Sequence, residues 1–371
     1  MKSKDKINLL EIGMVILIFI FITKISSIVQ LNSFIENSLI AVSLVLISTN
    51  IFHKKMSTKV LIINAIFIIF GLISYLNTGQ SIVLELIIIS LSIRRSDFIR
   101  EISFMYKATL FFYVVHLVIF ILLVISGKID FFIDLYGRNR VSFGMIHPNL
   151  FSVYTFNLIL MWSWLNYDRI NIKSVVIIFA IFSILFIFTD TRTTYAIGII
   201  FIIMISILKK KQQSRGFEIL SRYLFPSLLV IFGIQTFYYT KNVSFINVLD
   251  KILSGRIHLS SYGLNHYGFS PFGQKIQKDT VWDSYWRLNS ITFDNLYSYL
   301  AFNIGYFWIF ALILLTHTVK KQTPKNYIYI ILFSIYSVTE VHTINCFYFF
   351  PVLLFSVIDK ERINLSMETR K

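Results

Sequence analysis

The sequence predicts an all-α, polytopic integral membrane protein of about twelve spans with one large extracytoplasmic loop. Three observations carry this prediction. Hydrophobic residues make up 56% of the 371 and charged residues only 15%, and the mean hydropathy is +0.70; a soluble chain of this length cannot hide that much apolar surface. The apolar residues fall in runs near the roughly 20 needed to cross about 30 Å of hydrocarbon. The basic residues are divided unequally between alternate loops.

The runs lie near 9–28, 34–52, 60–76, 80–93, 108–126, 148–165, 174–189, 194–208, 223–240, 294–316, 327–340 and 343–358. The fourth is short, and the pair over 174–208 is split only by Thr189-Asp190-Thr191-Arg192-Thr193. The first follows Met1-Lys2-Ser3-Lys4-Asp5-Lys6. It is too long for a signal-peptide core and lacks an Ala-x-Ala site, so it reads as an uncleaved anchor. With both termini in the cytoplasm, the inward segments 2–6, 53–59, 94–107, 166–173, 209–222, 317–325 and 359–371 hold 24 Lys and Arg. The outward loops hold 10, the bias expected of cytoplasmic loops. One helical membrane domain over 1–371 is the simplest organisation.

Residues 241–293 then form an extracytoplasmic loop with six Lys and Arg on the face where they are normally depleted. Ile246, Leu249, Leu253 and Ile257 recur at helical spacing there. They predict an amphipathic helix that either rests on the outer interface or caps the bundle.

Composition also excludes chemistries. The net charge of +16 follows largely from basic cytoplasmic loops, so it does not imply nucleic acid. One cysteine, Cys346, permits no internal disulfide and no CxxC motif. The sequence has no P-loop, no HExxH and no Asp-x-Asp. Chemistry on the outer face would therefore use a preactivated substrate delivered in the membrane, with no cofactor and no protein-bound metal. A diphosphate would be held by cations, for which the planar arginine fork is suited.

Arg192 is either an interfacial residue paired with Asp190 or an anion clamp assisted by Thr191, Thr193 and Thr194. Arg256, after Ser254-Gly255, is either a solvated loop residue or a second phosphate ligand, with His258 two residues on. Arg138 and Arg140 lie beside the membrane and suit lipid headgroups or substrate; His147 and Asn149 flank Pro148, where they either cap a helix or bind. Trp282 and Trp286 in Trp-Asp-Ser-Tyr-Trp fit an interfacial belt or a sugar groove, since an aromatic ring offers an apolar face to sugar C–H groups. Asp294, before Asn295 and Tyr297, is either a helix cap or a general base. Glu11, Glu85, Glu340 and His116 are the remaining polar residues near the spans, and the sequence does not place them.

Taken in order, Arg140-Val-Ser-Phe-Gly-Met-Ile-His147-Pro-Asn149, Thr191-Arg192-Thr-Thr-Tyr, Ser254-Gly-Arg256-Ile, Pro271-Phe-Gly273, Asp294-Asn-Leu-Tyr297 and Asn303-Ile-Gly305-Tyr-Phe resemble the Wzy-type polysaccharide polymerase and O-antigen ligase superfamily. The resemblance covers roughly residues 130–315 and is greatest to the capsule and exopolysaccharide polymerases of Gram-positive bacteria. It implies an undecaprenyl-diphosphate-linked oligosaccharide repeat as substrate, a flippase and a chain-length regulator as partners, and no cofactor. It also implies Arg192 and Arg256 as the diphosphate-engaging positions, with Arg140 assisting. Ligase members carry His where Asp294 stands, a departure that fits a polymerase. Two other expectations remain open from the sequence: a ligase that moves finished glycan, and a lipid-oligosaccharide flippase or other transporter, which would gather charged residues inside the bundle.

Overall fold

The computed structural model describes residues 8–52, 57–94, 96–135, 137–208, 215–276, 291–318 and 323–357. Helices dominate: α1 (Leu9–Ile25), α2 (Ser33–Phe52), α3 (Thr58–Thr78), α4 (Ile82–Ile93), α5 (Phe98–Ile125), α6 (Pro148–Leu165), α7 (Ile172–Thr189), α8 (Arg192–Leu208) and α9 (Arg215–Tyr239). They are followed by α10 (Ser244–Ile252), α11 (Arg256–His266), the short α12 (Leu296–Ser298), α13 (Tyr306–Thr318) and α14 (Pro324–Tyr336). The one sheet among the described residues pairs Ile133–Asp134 with Asn139–Arg140. The fold is thus all-α, and five described helices, α2, α3, α5, α7 and α9, are long and apolar enough to cross a membrane. They are also sparsely buried. Phe34, Val45, Leu76, Phe111, Ile187 and Val230 stand exposed along them, as side chains do when they face lipid rather than water.

The core forms around α6. Fifteen of its eighteen residues are buried, because α5, α7, α8 and the chain after α14 all pack on it. A helix apolar on every side belongs at such a centre. One contiguous apolar cluster runs from Leu10 to Phe355, so the described helices share a single core.

The helix starts are written locally. Asn8 and Glu11 close a reciprocal capping box on α1, and Asp97 accepts from the amides of Ile99 and Arg100 to start α5. That start lies earlier than the sequence predicts, so Arg100 and Lys107, read as loop, are helical. Arg100 then donates through Nε and Nη2 to Glu11 Oε1 at 3.1 and 2.9 Å.

Two expected spans differ. The run over 294–316 is not one helix: α12 passes into a π turn over 299–304 and stops at Gly305, where φ is 115°. The reason is a docked strand of loop. Gln274 donates its amide to Asn303 O, and Tyr306 and Phe307 donate theirs to Ser270 O and Pro271 O. A Cβ on Gly273 would lie 2.3 Å from Asn303 O, and one on Gly305 2.4 Å from Pro271 O, so the approach requires glycine at both positions.

The run over 343–358 is also not an α-helix. It forms 3₁₀ turns at Val341–Ile344 and Phe350–Ser356. Seven residues of 3₁₀ helix advance only about 14 Å. Such backbone persists in an apolar setting when its polar groups are satisfied by protein. Asn157 on α6, fully buried, does this: Nδ2 donates to Phe347 O and Oδ1 accepts from Phe350 N, both at 2.8 Å.

The amphipathic helix expected through Ile257 is divided. Ser254 (φ 56°) and Gly255 (φ 82°) turn left-handed, ending α10 at Ile252 and starting α11 at Arg256. Ile246 and Ile257 are nevertheless both buried in the core cluster.

Candidate functional site

The loops bearing most of the candidate residues meet at one end of the bundle. Ile146 donates to Ile25 O, Ser27 to Gly144 O, and Val141 to Phe188 O, each at 2.8 Å. These bonds bring the ends of α1 and α7 to the loop before α6. On the other side, Tyr299 hydrogen-bonds Gln80, and Leu296 donates to Ser337 O at the end of α14.

The first half of the site surrounds Asp190. This residue closes α7 in the left-handed region, φ 45°, which aspartate tolerates better than most residues. Its carboxylate takes Arg138 Nη1 at 2.8 Å through Oδ2 and faces Arg192 Nε at 3.7 Å through Oδ1. Arg192 is the first residue of α8, and its side chain remains 73% exposed. The end of a helix rich in backbone N–H groups, with two guanidiniums beside it, favours an anion. Arg192 is thus paired with Asp190, as the first of its two sequence readings expects, while most of its side chain stays exposed.

Arg140 has a different position. It is 6% exposed. Nε donates to Thr189 O at 2.6 Å and Nη2 to Asn149 Oδ1 at 2.8 Å. The guanidinium thereby ties the sheet to the end of α7 and the start of α6. Asn149 Oδ1 also accepts from Thr191 Oγ1 at 3.3 Å. These two candidates build the junction on which Asp190 and Arg192 sit.

His147 is the N-cap of α6, with Nδ1 accepting from the Asn149 amide at 3.1 Å. Accepting there requires the neutral ring with its proton on Nε2. Burial holds its pKa below the usual imidazole range; the charge of Arg140 adds to this, and Asp294 opposes it. Asp294 is thereby within electrostatic reach of His147, although the two lie far apart in the chain.

The second half surrounds Arg256. Asp250 Oδ1 accepts from the amides of Ile257 and His258, both at 2.9 Å, and so caps α11. Arg256, at its start, donates Nε to Thr339 O at 3.0 Å and Nη1 to Leu253 O at 2.9 Å. The His258 ring lies against Tyr239, centroids 5.6 Å apart. Asn295 is fully buried and caps α12, accepting from Ser298 N at 2.8 Å. Tyr297 is buried between Phe225 and Phe232 and donates to Ser334 O at 3.0 Å. Asn295 and Tyr297 thus hold Asp294 in place from the core, while Asp294 itself is exposed. Trp282 and Trp286 lie outside the described residues.

The sequence names Glu340 without placing it, and the structure sets it in the second half. Glu340 lies within electrostatic reach of both Arg256 and Asp294, and its Oε1 faces His342 Nε2 at 3.8 Å. The available signal was the Glu-Val-His run after an apolar stretch, but its neighbours depend on how α12 docks on α14. Tyr336 links back to α8, its hydroxyl 2.8 Å from Thr194 Oγ1. Among the described residues no group of three or more His, Cys, Asp or Glu is arranged to hold a metal ion. The arrangement can hold an anion at its guanidiniums and take a proton at an adjacent carboxylate. No family model, curated protein or solved structure matches this chain.

Proposed function

We propose that the chain polymerises undecaprenyl-diphosphate-linked oligosaccharide repeat units into capsular or exopolysaccharide on the outer face of the cytoplasmic membrane. In this reading the termini are cytoplasmic, and the end that carries Arg192 and Arg256 is extracytoplasmic. The observation that supports it best is the grouping of guanidiniums beside carboxylates at one end. Arg138 and Arg192 flank Asp190 at the start of α8, and Arg256 lies in electrostatic reach of Glu340, which in turn senses Asp294.

An acceptor sugar hydroxyl attacks the anomeric carbon of the lipid-linked donor. The new C–O bond forms as the bond to the carrier diphosphate breaks, and the bonding pair leaves with the diphosphate. Asp294 takes the hydroxyl proton. Arg192 and Arg256 stabilise the charge gathering on the leaving oxygens, which is worth most where donors are already oriented. Arg256 is held in such an orientation by two backbone carbonyls. The flippase and the chain-length regulator would act before and alongside this step.

Deletion followed by gel analysis of lipid-linked glycans tests the reading. A polymerase leaves single repeats when lost, whereas a ligase leaves long lipid-linked chains. Asp294→Asn should reproduce the single-repeat pattern with the protein still inserted. Full-length polymer from Asp294→Asn together with Glu340→Gln would remove the carboxylate base from the mechanism.

A further inference from the structure

We infer that α10 is seated in the bilayer interface and that the membrane surface is the partner of its outward apolar strip. This goes beyond the catalytic reading and stands or falls separately from it. The helix divides into three strips. Ile246 and Asp250 are buried against the bundle. Phe245, Val248 and Ile252 point away from it, at 68%, 55% and 71% exposure. Asn247 and Lys251, four residues apart and so on one side, form a polar strip between the two, with Lys251 exposed.

A bare strip of Phe, Val and Ile is unfavourable in water and needs an occupant. Continuity with α9 identifies it. Val230, Ile234, Phe237 and Tyr238 form an exposed apolar stripe up the last turns of α9, one of the five helices fit to cross a membrane. The chain turns at Asn242, φ 54°, and α10 packs back on α9. The strip on α10 therefore begins where the lipid-facing stripe of α9 ends. Lys241 marks that level: its ammonium lies 5.7 Å from the Phe237 ring centroid, as a basic side chain does when its stem follows apolar surface and its head seeks water. Lys241 and Lys251 supply the positive charge with which interfacial helices meet anionic headgroups.

The seat has a mechanical consequence. Asp250, on the buried strip, caps α11 through the amides beside Arg256. The depth of α10 in the interface thus fixes the height of Arg256 above the leaflet.

The test uses the full chain carrying Cys346→Ala, reconstituted in phosphatidylglycerol and phosphatidylethanolamine vesicles. Single cysteines at Phe245, Val248, Ile252, Asn247 and Lys251 receive a nitroxide, and relaxation by oxygen is compared with relaxation by a water-soluble nickel chelate. Oxygen should dominate at Phe245, Val248 and Ile252, and nickel at Asn247 and Lys251. Nickel dominance at all five positions would overturn the inference by showing the strip in water. Weak relaxation by both reagents at the three apolar positions would also overturn it, since protein would then cover the strip. Thermal melting of each labelled variant, unchanged from the Cys346→Ala parent, establishes that the readout comes from folded protein.

Discussion

Arg256 donates through Nε to the carbonyl of Thr339 at 3.0 Å, and Thr339 directly precedes Glu340. One bond thus joins the start of α11 to the non-helical chain that follows α14. Lysine keeps the charge but cannot serve the Thr339 and Leu253 carbonyls with one planar fork. Losing a charge-assisted hydrogen bond costs about 1.5–3 kcal/mol, so Arg256→Lys should lower polymer formation about 10-fold to 100-fold. Insertion, read by membrane fractionation, should not change. Quantified glycan ladders check the outcome, and wild-type polymer from the lysine variant would deny Arg256 any directional role.

Arg192 and Arg140 should behave oppositely. Arg192 is largely exposed, and among the described residues its ion pair is with the Asp190 carboxylate at 3.7 Å, a contact of the kind worth little to stability. Arg192→Gln should leave thermal stability near wild type and still abolish polymer.

Arg140 is buried and bonds Thr189 O and Asn149. Arg140→Ala leaves those acceptors unsatisfied and should destabilise the protein by about 3 kcal/mol. Melting in detergent separates the two substitutions. Equal losses of stability would mean that Arg192 is structural as well.

His147 gives a pH dependence with a definite sign. Its folded-state pKa is depressed, chiefly by burial, so the cap contributes fully above the unfolded imidazole value of about 6.5. That contribution is lost as pH falls through the lower folded value, because protonation removes the Nδ1 acceptor. Wild-type melting temperature should therefore fall on the acid side more steeply than that of His147→Asn, whose amide caps at any pH. Superimposable pH profiles would refute the capping role.

How much of this was legible in the sequence depends on which forces decided each element. The α6 run over 148–165 has the bounds of the helix, because Pro148 and the cap at His147 are local signals. The expected helix over 343–358 was not found. Its apolar composition is equally compatible with 3₁₀ backbone once Asn157, from another helix, supplies the missing hydrogen bonds. Arg192 and Asp190 could be paired from their spacing, being neighbours in one tight turn. Arg140, Asn295 and Tyr297 could be listed as candidates, but their burial could not be foreseen, since it comes from helices distant in the chain. Glu340 is legible as a polar residue near a span, but its neighbours are not, for the same reason.

Gly305→Ala should be among the most damaging small substitutions. It places a methyl carbon 2.4 Å from Pro271 O and asks alanine for φ 115°. Overpacking of this kind costs about 1–3 kcal/mol before the backbone strain is added. Loss of the folded protein on size-exclusion chromatography checks it, and a well-folded variant would show that the segment from Ser270 can detach without harm.

That clasp between Gly273 and Gly305 also governs the spacing of two segments of chain. Ser270 to Gln274 are fixed on one side by the broken helix, and Ile291 and Phe293 are fixed on the other by packing with Phe302 and Tyr262. Asn303, which accepts from the first segment, and Phe302, which packs on the second, are adjacent in the chain. One π turn therefore sets the separation of the two, and straightening it into a regular helix would release both together.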